Sequence, residues 1–238
     1  MTKLSVNINK VATIRNARGG NTPNLVQFAL DCERFGADGI TVHPRPDERH
    51  ITYRDIEELS EVVQTEFNIE GYPDERYLQM IKKFKPFQAT LVPDPPGVLT
   101  SNAGWNFKKD ADFLQPIISK IKDLGVRVSL FVEAEENAIE NAYNTGTDRI
   151  ELYTGPYAAQ YPLDKQEAIT SYRLAAQRAK ELGLGINAGH DLSFDNLHYF
   201  KSQLIQLDEV SIGHAIISEA LYLGIENCIQ LYKNELIR

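Results

Sequence analysis

The chain has 238 residues, of which 42% are hydrophobic and 24% are charged, and its formal net charge is −8. This balance is typical of a soluble globular protein with a core, and the length fits one α/β barrel. The negative charge argues against non-specific binding of nucleic acid or of an anionic membrane surface.

The two cysteines, Cys32 and Cys228, stand far apart and form no CxxC motif. This spacing excludes a cysteine-based zinc site and fits a reducing compartment. The start, MTKLSVNINK, lacks the apolar region of a signal peptide. No apolar run approaches the roughly 20 residues that span a bilayer. We therefore expect a cytoplasmic protein that does not enter the membrane.

Apolar periodicity and turn signals predict strands and helices that alternate along the chain. Strands are predicted at residues 4–8, 39–42, 68–70, 89–92, 126–132, 149–153, 185–187 and 209–212. Helices are predicted from Pro23 to Gly36 and at residues 53–63, 74–85, 110–124, 135–145, 164–182, 194–200 and 216–237. Thr52 followed by Asp55 forms a capping box, and Ser193 is a further N-cap.

Eight strands alternating with eight helices are the number expected of a TIM (β/α)8 barrel, here with a single domain at residues 1–238. Four glycines each end a helix shortly before a strand, as left-handed helix stops do. The short apolar strands suit a sheet that is buried on both faces. An open doubly wound sheet would have fewer units or a GxGxxG turn, and the sequence has neither. The four glycines are Gly36, Gly125, Gly146 and Gly183.

Residues 93–107 form a long irregular stretch rich in proline and glycine, and they contain Trp105, the one tryptophan of the chain. A loop of about 15 residues inside a compact domain is usually functional or disordered. The tryptophan favours the interpretation that this stretch is a lid that packs onto the rest of the protein.

Polar residues follow the predicted strands, and the loops after the carboxyl ends of barrel strands build the active site. In residues 40–52, ITVHPRPDERHIT, a β-branched run turns abruptly into titratable and cationic residues. Four of the five histidines stand at strand ends, which favours one shared site over four separate structural roles. The strand-end residues are Asn7, Asn9, Lys10, His43, Arg45, His50, Glu70, Thr100, Glu133, Glu151, Tyr153, Asn187, His190, Gly213 and His214.

These residue types suit proton transfer on a phosphorylated substrate. Histidine exchanges protons near neutral pH, and a partly buried glutamate can act as general acid or base. Arg18 and Arg45 offer planar forks for phosphate, and the junction at residues 212–216 offers free amides at a helix start.

Four alternatives stay open at this point. The charged stretch at residues 40–52 could be a solvated surface loop. A zinc site is possible, although the sequence has no HxH or HExxH spacing. Lys10 could form a Schiff base in an aldolase-like enzyme if its amine were desolvated. A catalytically silent barrel could serve as a metabolite sensor or scaffold.

Six segments resemble the pyridoxine 5'-phosphate synthase family, in order along essentially the whole chain. They are Val6-Asn7-Ile8, Arg15-Asn16-Ala17-Arg18-Gly19, residues 36–43 (GADGITVH), Arg49-His50-Ile51, Asn187-Ala188-Gly189-His190 and Ile212-Gly213-His214-Ala215-Ile216. The resemblance implies a TIM barrel that assembles as an octamer and uses neither a metal nor an organic cofactor. It implies condensation of 1-deoxy-D-xylulose 5-phosphate with 3-amino-2-oxopropyl phosphate into pyridoxine 5'-phosphate, phosphate and water.

The resemblance also implies residue roles. His43 and Glu70 match proton acceptors, His190 matches a proton donor, and Glu151 matches a carboxylate that stabilises a transition state. Arg45, His50 and Thr100 match residues that bind the deoxyxylulose phosphate. Asn7, Arg18, Gly213 and His214 match residues that hold the amino-ketone phosphate.

The chain departs from the common family pattern at two places. It has Asn9-Lys10 where many members have Asp-His, and Asp191 where many have glycine after the catalytic histidine. Lys10 can reach a phosphate or hydroxyl, but it does not replace a neutral imidazole. Asp191 could contact a phosphorylated ligand through its backbone N–H, because its carboxylate would bring an unfavourable charge. All three are kept as candidate substrate-binding residues.

Overall fold

Eight parallel strands close into a barrel in sequence order, so that β1 pairs with both β2 and β8. The computed structural model describes residues 1–94 and 103–237. The predicted TIM barrel is confirmed. The strands are β1 (Lys3–Asn7), β2 (Gly39–Val42), β3 (Glu66–Gly71), β4 (Gln88–Leu91), β5 (Arg127–Val132), β6 (Arg149–Tyr153), β7 (Gly185–Gly189) and β8 (Glu209–Ile212).

The described ranges contain eleven helices, three more than predicted. The additional ones are α1, directly after β1, the short α7 after β6, and a division of the last helix at Gly224, whose φ is 76°. The helices are α1 (Asn9–Asn16), α2 (Leu25–Arg34), α3 (Tyr53–Val62), α4 (Glu75–Phe84), α5 (Phe107–Lys122), α6 (Glu136–Asn144), α7 (Gly155–Gln160), α8 (Lys165–Glu181), α9 (Phe194–Gln203), α10 (His214–Leu223) and α11 (Ile225–Ile237).

The predicted helix ends have a clear local cause. The Asp55 N–H donates to Thr52 Oγ1 at 3.2 Å and the Thr52 N–H donates to Asp55 Oδ2 at 2.8 Å, which is the capping box predicted for α3. The four glycine stops have φ between 75° and 100°, a region that costs side-chain-bearing residues energy. These stops return the chain to the barrel within a few residues.

The hydrophobic core lies between the barrel and the helices, since the outward faces of the strands are apolar. The inward face differs from the expectation of strands that are apolar throughout. Ser5 and Thr41 share a hydrogen bond of 2.7 Å, and Asn68 joins Thr41 to Thr90 with bonds of 3.3 and 3.0 Å. These polar groups are buried and satisfy one another across neighbouring strands, so burial on both faces here does not require apolar side chains.

Trp105 is an anchor of the core. Its Nε1 donates to the Leu91 carbonyl at 2.8 Å, and its ring packs 5.8 Å from that of Tyr72 and 6.4 Å from that of Phe113. The part of the predicted lid at residues 95–102 lies outside the described residues, so the lid stays a prediction.

None of the helices within residues 1–94 and 103–237 combines the length and the apolar character of a membrane span.

Candidate active site

A cavity of about 550 Å³ opens at the carboxyl ends of the strands, where barrel active sites are built. Most predicted site residues line it, and they come from distant parts of the chain. The predicted residues on its wall are Asn7, Asn9, Lys10, His43, Arg45, His50, Glu70, Glu151, His190, Gly213 and His214.

Three of the predicted substrate-binding residues are not among those that line this cavity, and neither are the strand-end residues Glu133, Tyr153 and Asn187. Arg18 is exposed in the turn after α1. Asp191 stands beside the cavity, and its carboxylate contacts His190. Thr100 lies outside the described residues.

His43 and Glu70 form a close pair at the ends of β2 and β3, with 3.7 Å between His43 Nδ1 and Glu70 Oε2. Burial, followed by the positive charge of Arg45, holds the pKa of His43 well below its ordinary value. Burial raises the pKa of Glu70 to about 7, against the lowering effect of His190. The imidazole is therefore neutral near pH 7, and Glu70 can both accept and release a proton there.

Glu151 on β6 is the most buried acid of the cavity, with 3% of its surface exposed. Burial, with the charges of Glu70 and Glu209, raises its pKa well above the ordinary value. Its Oε2 has no hydrogen-bond partner within the described residues. The raised pKa favours the protonated form of Glu151, which can donate a hydrogen bond to a developing anion.

His190 follows β7 and has a φ of 96°, a conformation rare for residues other than glycine. Its Nδ1 lies 2.6 Å from Asp191 Oδ2, and its ring meets that of Tyr153 edge-on at 5.7 Å. Burial lowers the pKa of His190, but the hydrogen bond and charge of Asp191, with Glu70 and Asp94, raise it above the ordinary value. The imidazolium form is favoured, as an acid requires.

Arg45 is a buried cation at one side of the cavity, and its NH2 lies 2.9 Å from Asp94 Oδ2. Burial and the positive charges of Arg45 and Lys10 lower the pKa of His50 to about 4, so its ring is neutral near pH 7. Asp94 was not predicted as a site residue, because a partner this far along the chain cannot be read from the strand-end pattern.

A buried ion pair fixes the loop that carries His50. Arg15 makes two bonds to Asp55, of 2.5 and 2.8 Å, and its NH2 donates to the His50 carbonyl at 3.2 Å. Asn16 Nδ2 donates to the same carbonyl at 2.8 Å. Arg15 and Asp55 are thus positioning residues, the first of which lies in the RNARG segment that carried the resemblance.

Asn9 holds the end of β2, since its Oδ1 accepts the His43 backbone N–H at 2.9 Å. This contact assigns Asn9 a role in placing the candidate base. Five further residues line the cavity and were not predicted to do so. They are Thr13, Arg49, Val92, Phe131 and Ser211.

The start of α10 lines the cavity at the end of β8, two strands from the β2 loop that carries Arg45. Gly213 precedes the helix, and a Cβ there would lie 3.0 Å from Asn7 Cβ, so the close approach of β1 favours glycine. His214 begins the helix, whose unpaired amides and positive dipole end favour an anion.

Two rival chemistries find no support in the geometry. Lys10 is exposed at the rim, which does not match the desolvated amine of a Schiff-base lysine. In residues 1–94 and 103–237, no three or more His, Cys, Asp or Glu side chains group as a metal site would need.

Solved structures share the architecture at low sequence identity. A 3-keto-L-gulonate-6-phosphate decarboxylase from Vibrio cholerae has a TM-score of 0.66 at 8% identity, covering 100% of this chain and 98% of its own. A phosphoribosyl anthranilate isomerase from Thermococcus kodakaraensis has a TM-score of 0.65 at 14% identity and covers 99% of both chains. These similarities establish the barrel fold alone.

Sequence relatives are much closer. A pyridoxine 5'-phosphate synthase from Bacteroides thetaiotaomicron is 57% identical over 234 residues, which are 98% of this chain and 99% of the relative. One from Cytophaga hutchinsonii is 58% identical over 236 residues, 99% of both chains. The family model described as "Pyridoxal phosphate biosynthesis protein PdxJ" matches residues 4–238. The chain therefore belongs to the PdxJ family of pyridoxal phosphate biosynthesis proteins.

Proposed function

We propose that residues 1–238 form one catalytic domain, a pyridoxine 5'-phosphate synthase. It condenses 1-deoxy-D-xylulose 5-phosphate with 3-amino-2-oxopropyl phosphate to give pyridoxine 5'-phosphate, phosphate and water. One observation carries the proposal. Four titratable residues, His43, Glu70, Glu151 and His190, line one cavity, and burial and neighbouring charges shift their pKa values by different amounts and in different directions. Two relatives named pyridoxine 5'-phosphate synthase, which are 57% and 58% identical over nearly the whole chain, support the same activity.

The reaction is a series of proton transfers between carbon, nitrogen and oxygen. The amine attacks the ketone and water leaves to give an imine, phosphate is eliminated, and an aldol-type closure with loss of water gives the aromatic ring. Each positioned acid or base typically contributes ~10²–10⁴-fold. Such steps need neither a metal nor an organic cofactor.

Glu70 and His43 serve as proton acceptors. A group with a pKa near the working pH is the most efficient proton carrier, and the pKa of about 7 places Glu70 there. The low pKa of His43 keeps its imidazole neutral and ready to accept a proton. Their separation of 3.7 Å allows a proton accepted by one to pass to the other after a small movement.

His190 and Glu151 serve as proton donors. His190 is held as the imidazolium beside Asp191 and protonates the leaving hydroxyl. Protonated Glu151 donates its unused hydrogen bond to the oxygen on which negative charge develops.

The two phosphates bind at different parts of the cavity wall, one at the loop after β2 and one at the end of β8. Arg45 and His50, with Thr100, hold the deoxyxylulose phosphate, and Arg45 exchanges part of its contact with Asp94 for the phosphate. The amide-rich start of α10 at Gly213 and His214, with Asn7, holds the amino-ketone phosphate. Lys10 adds a cation at the rim. Arg18 is close in sequence to α1 and reaches this phosphate if the exposed turn folds inward.

The direct test is to mix purified protein with both substrates and EDTA and to follow the fluorescence of pyridoxine phosphate. Product should form at an undiminished rate in EDTA. Absence of product, or dependence of turnover on an added metal, rejects the proposal. The His190→Ala variant should fold normally and lose at least ~10²-fold in turnover. A near-normal kcat would remove His190 from the mechanism.

We also propose self-association, as in the family octamer, and a cytoplasmic location. The exposed Leu221, Tyr222 and Leu223 at the end of α10 supply an apolar surface for self-association. The two buried free cysteines, Cys32 and Cys228, suit a reducing compartment. Sedimentation velocity with Tyr222→Glu tests the association, since an unchanged sedimentation coefficient would exclude this surface.

A further inference from the structure

Asp191 follows His190 in the chain, and it can act through that histidine without contacting the substrate. We propose that Asp191 is a positioning residue, which fixes the His190 ring through Nδ1 and holds it as the protonated acid, so that proton donation falls to Nε2. This inference rests on the proposed function. It replaces the expectation that Asp191 binds substrate.

The backbone of Asp191 is already committed. Its N–H donates to Thr154 Oγ1 at 3.2 Å, and its carbonyl accepts from Asn196 Nδ2 at 3.3 Å. Thr154 in turn donates to the Gly189 carbonyl at 2.6 Å. An N–H in this arrangement cannot turn toward a phosphate, so the carboxylate is the group of Asp191 that acts.

The carboxylate meets His190 at 2.6 Å, a distance typical of a charge-assisted hydrogen bond. The His190 backbone, at φ 96°, needs support from its surroundings, because side-chain-bearing residues rarely adopt this conformation. The 3.4 Å bond from the His190 N–H to the Ser211 carbonyl and the edge-on contact with Tyr153 provide part of it. Asp191 completes it by fixing the ring.

Acidic groups on several elements raise the pKa of His190. They are Asp191 from its own loop, Glu70 from β3 and Asp94 from the loop after β4. Tyr153 of β6 meets the ring edge-on and is uncharged. Among the groups that raise the pKa of His190 against burial, Asp191 has the largest effect. Removing this carboxylate should therefore lower the pKa by about one unit or more.

The first experiment needs no substrate. The five histidine rings are followed by NMR with ¹⁵N-histidine between pH 5 and 9, and His190 is assigned from its missing signal in His190→Ala. Asp191→Asn keeps a hydrogen-bond acceptor and removes the charge. It should lower the His190 pKa by about one unit or more. Asp195→Asn, an exposed aspartate of α9, removes the same charge and should leave the His190 pKa unchanged.

The second experiment is the pH dependence of kcat. An acid must be protonated, so activity falls as the pH rises through its pKa. Asp191→Asn should move this alkaline limb down by the shift that NMR measures, with KM for both substrates within about threefold of wild type. At pH values well above both pKa values the variant should have about one tenth of the wild-type activity for each unit by which the His190 pKa is lowered, whereas well below them the two proteins should be equally active. Asp195→Asn should reproduce the wild-type profile.

Three results would overturn the inference. An unchanged His190 pKa in Asp191→Asn would show that the carboxylate does not act on the ring. A higher KM with an unmoved limb would make Asp191 a substrate ligand. An equal loss of kcat at every pH would make its role merely structural. Failure of the wild-type protein to form product is a separate outcome, which rejects the proposed function even where the ring titrates as expected.

Discussion

The two ends of the barrel interior are both rich in charged residues, but the charges are arranged differently. At the amino-terminal end, Arg127 lies 2.6 Å from Glu66 and 3.3 Å from Glu209, and Arg149 lies 3.5 Å from Glu209. Lys3 also pairs with Glu66. At the carboxyl-terminal end, the partly buried Glu70 and the buried Glu151 interact electrostatically, and their pKa values are raised.

The difference shows which end serves the fold and which serves the chemistry. Alternating cations and anions stabilise one another, whereas like charges in a buried cavity lower the stability of the folded state. Charge at the mouth is tolerated because it tunes proton affinity. Substitutions at the two ends should therefore have opposite consequences for stability and turnover.

The largest effect is expected from Glu70→Gln at the mouth. It removes a proton acceptor and leaves the volume unchanged, so kcat should fall by ~10²–10⁴-fold, a barrier increase of about 3–5 kcal/mol. Steady-state kinetics with the fluorescent product measures this. Glu57→Gln, on the exposed face of α3, is the matched control and should leave kcat unchanged. A Glu70→Gln variant with near-normal kcat would remove Glu70 from the mechanism.

The reverse pattern is expected from Arg127→Met at the amino-terminal end. Glu66 and Glu209 then lose a cation inside the barrel, and the free energy of unfolding should fall by about 3 kcal/mol. The kcat per folded molecule should stay close to wild type. Arg54→Met removes an exposed partner of Glu58 and should leave the free energy of unfolding almost unchanged. Urea denaturation compares the two, and equal small losses would contradict the structural role of this network.

Glu70→Gln should also stabilise the protein in a pH-dependent way. The folded pKa of about 7 lies above the ordinary 4.5, so the folded state binds more protons between these values, and stability falls as the pH rises through them. Glutamine carries no such penalty. Well above pH 7 the variant should be more stable than wild type by on the order of 3 kcal/mol, and the gain should disappear below pH 4.5. A constant difference across this range would show that Glu70 is not perturbed.

The smallest of these effects concerns the space around Glu151. A Cβ at Gly189 would lie 2.6 Å from Glu151 Oε1 and 2.9 Å from the Ser211 carbonyl. Gly189→Ala should displace the acid and lower kcat about tenfold, with a loss of about 1–2 kcal/mol in stability from overpacking. Kinetics and thermal unfolding measure both quantities. Wild-type kcat in this variant would mean that the position of Glu151 does not limit turnover.

Much of the barrel can be predicted from local signals. The strands at residues 39–42, 149–153 and 209–212 match to the residue, since β-branched or apolar runs end at polar residues. Helix α1 was not predicted. It begins almost directly after β1, and its N-cap residue, Ile8, has no side chain that could cap a helix. No helix was predicted at residues 155–160, although Pro156 in the first turn of α7 is a helix-start signal.

The candidate site, like the fold, can be predicted only in part from the sequence. The residues at the mouth of the barrel can be predicted from their position after the strands. His43, Glu70 and His190 were predicted in this way, and they line the cavity. The Arg45–Asp94 pair depends on two segments far apart in sequence. The raised pKa of Glu151 depends on burial and on neighbours from other strands. Such quantities arise from the packed structure and have no local sequence pattern.

The buried Arg15–Asp55 pair makes α1 and α3 interdependent. Because Arg15 also binds the His50 carbonyl, the second loop of the barrel takes its shape from residues that precede it by a whole βα unit. In a chimaera between two members of the family, residues 9–16 and 43–55 would have to be exchanged together. A module boundary drawn between them would separate His50 from the residue that supports it.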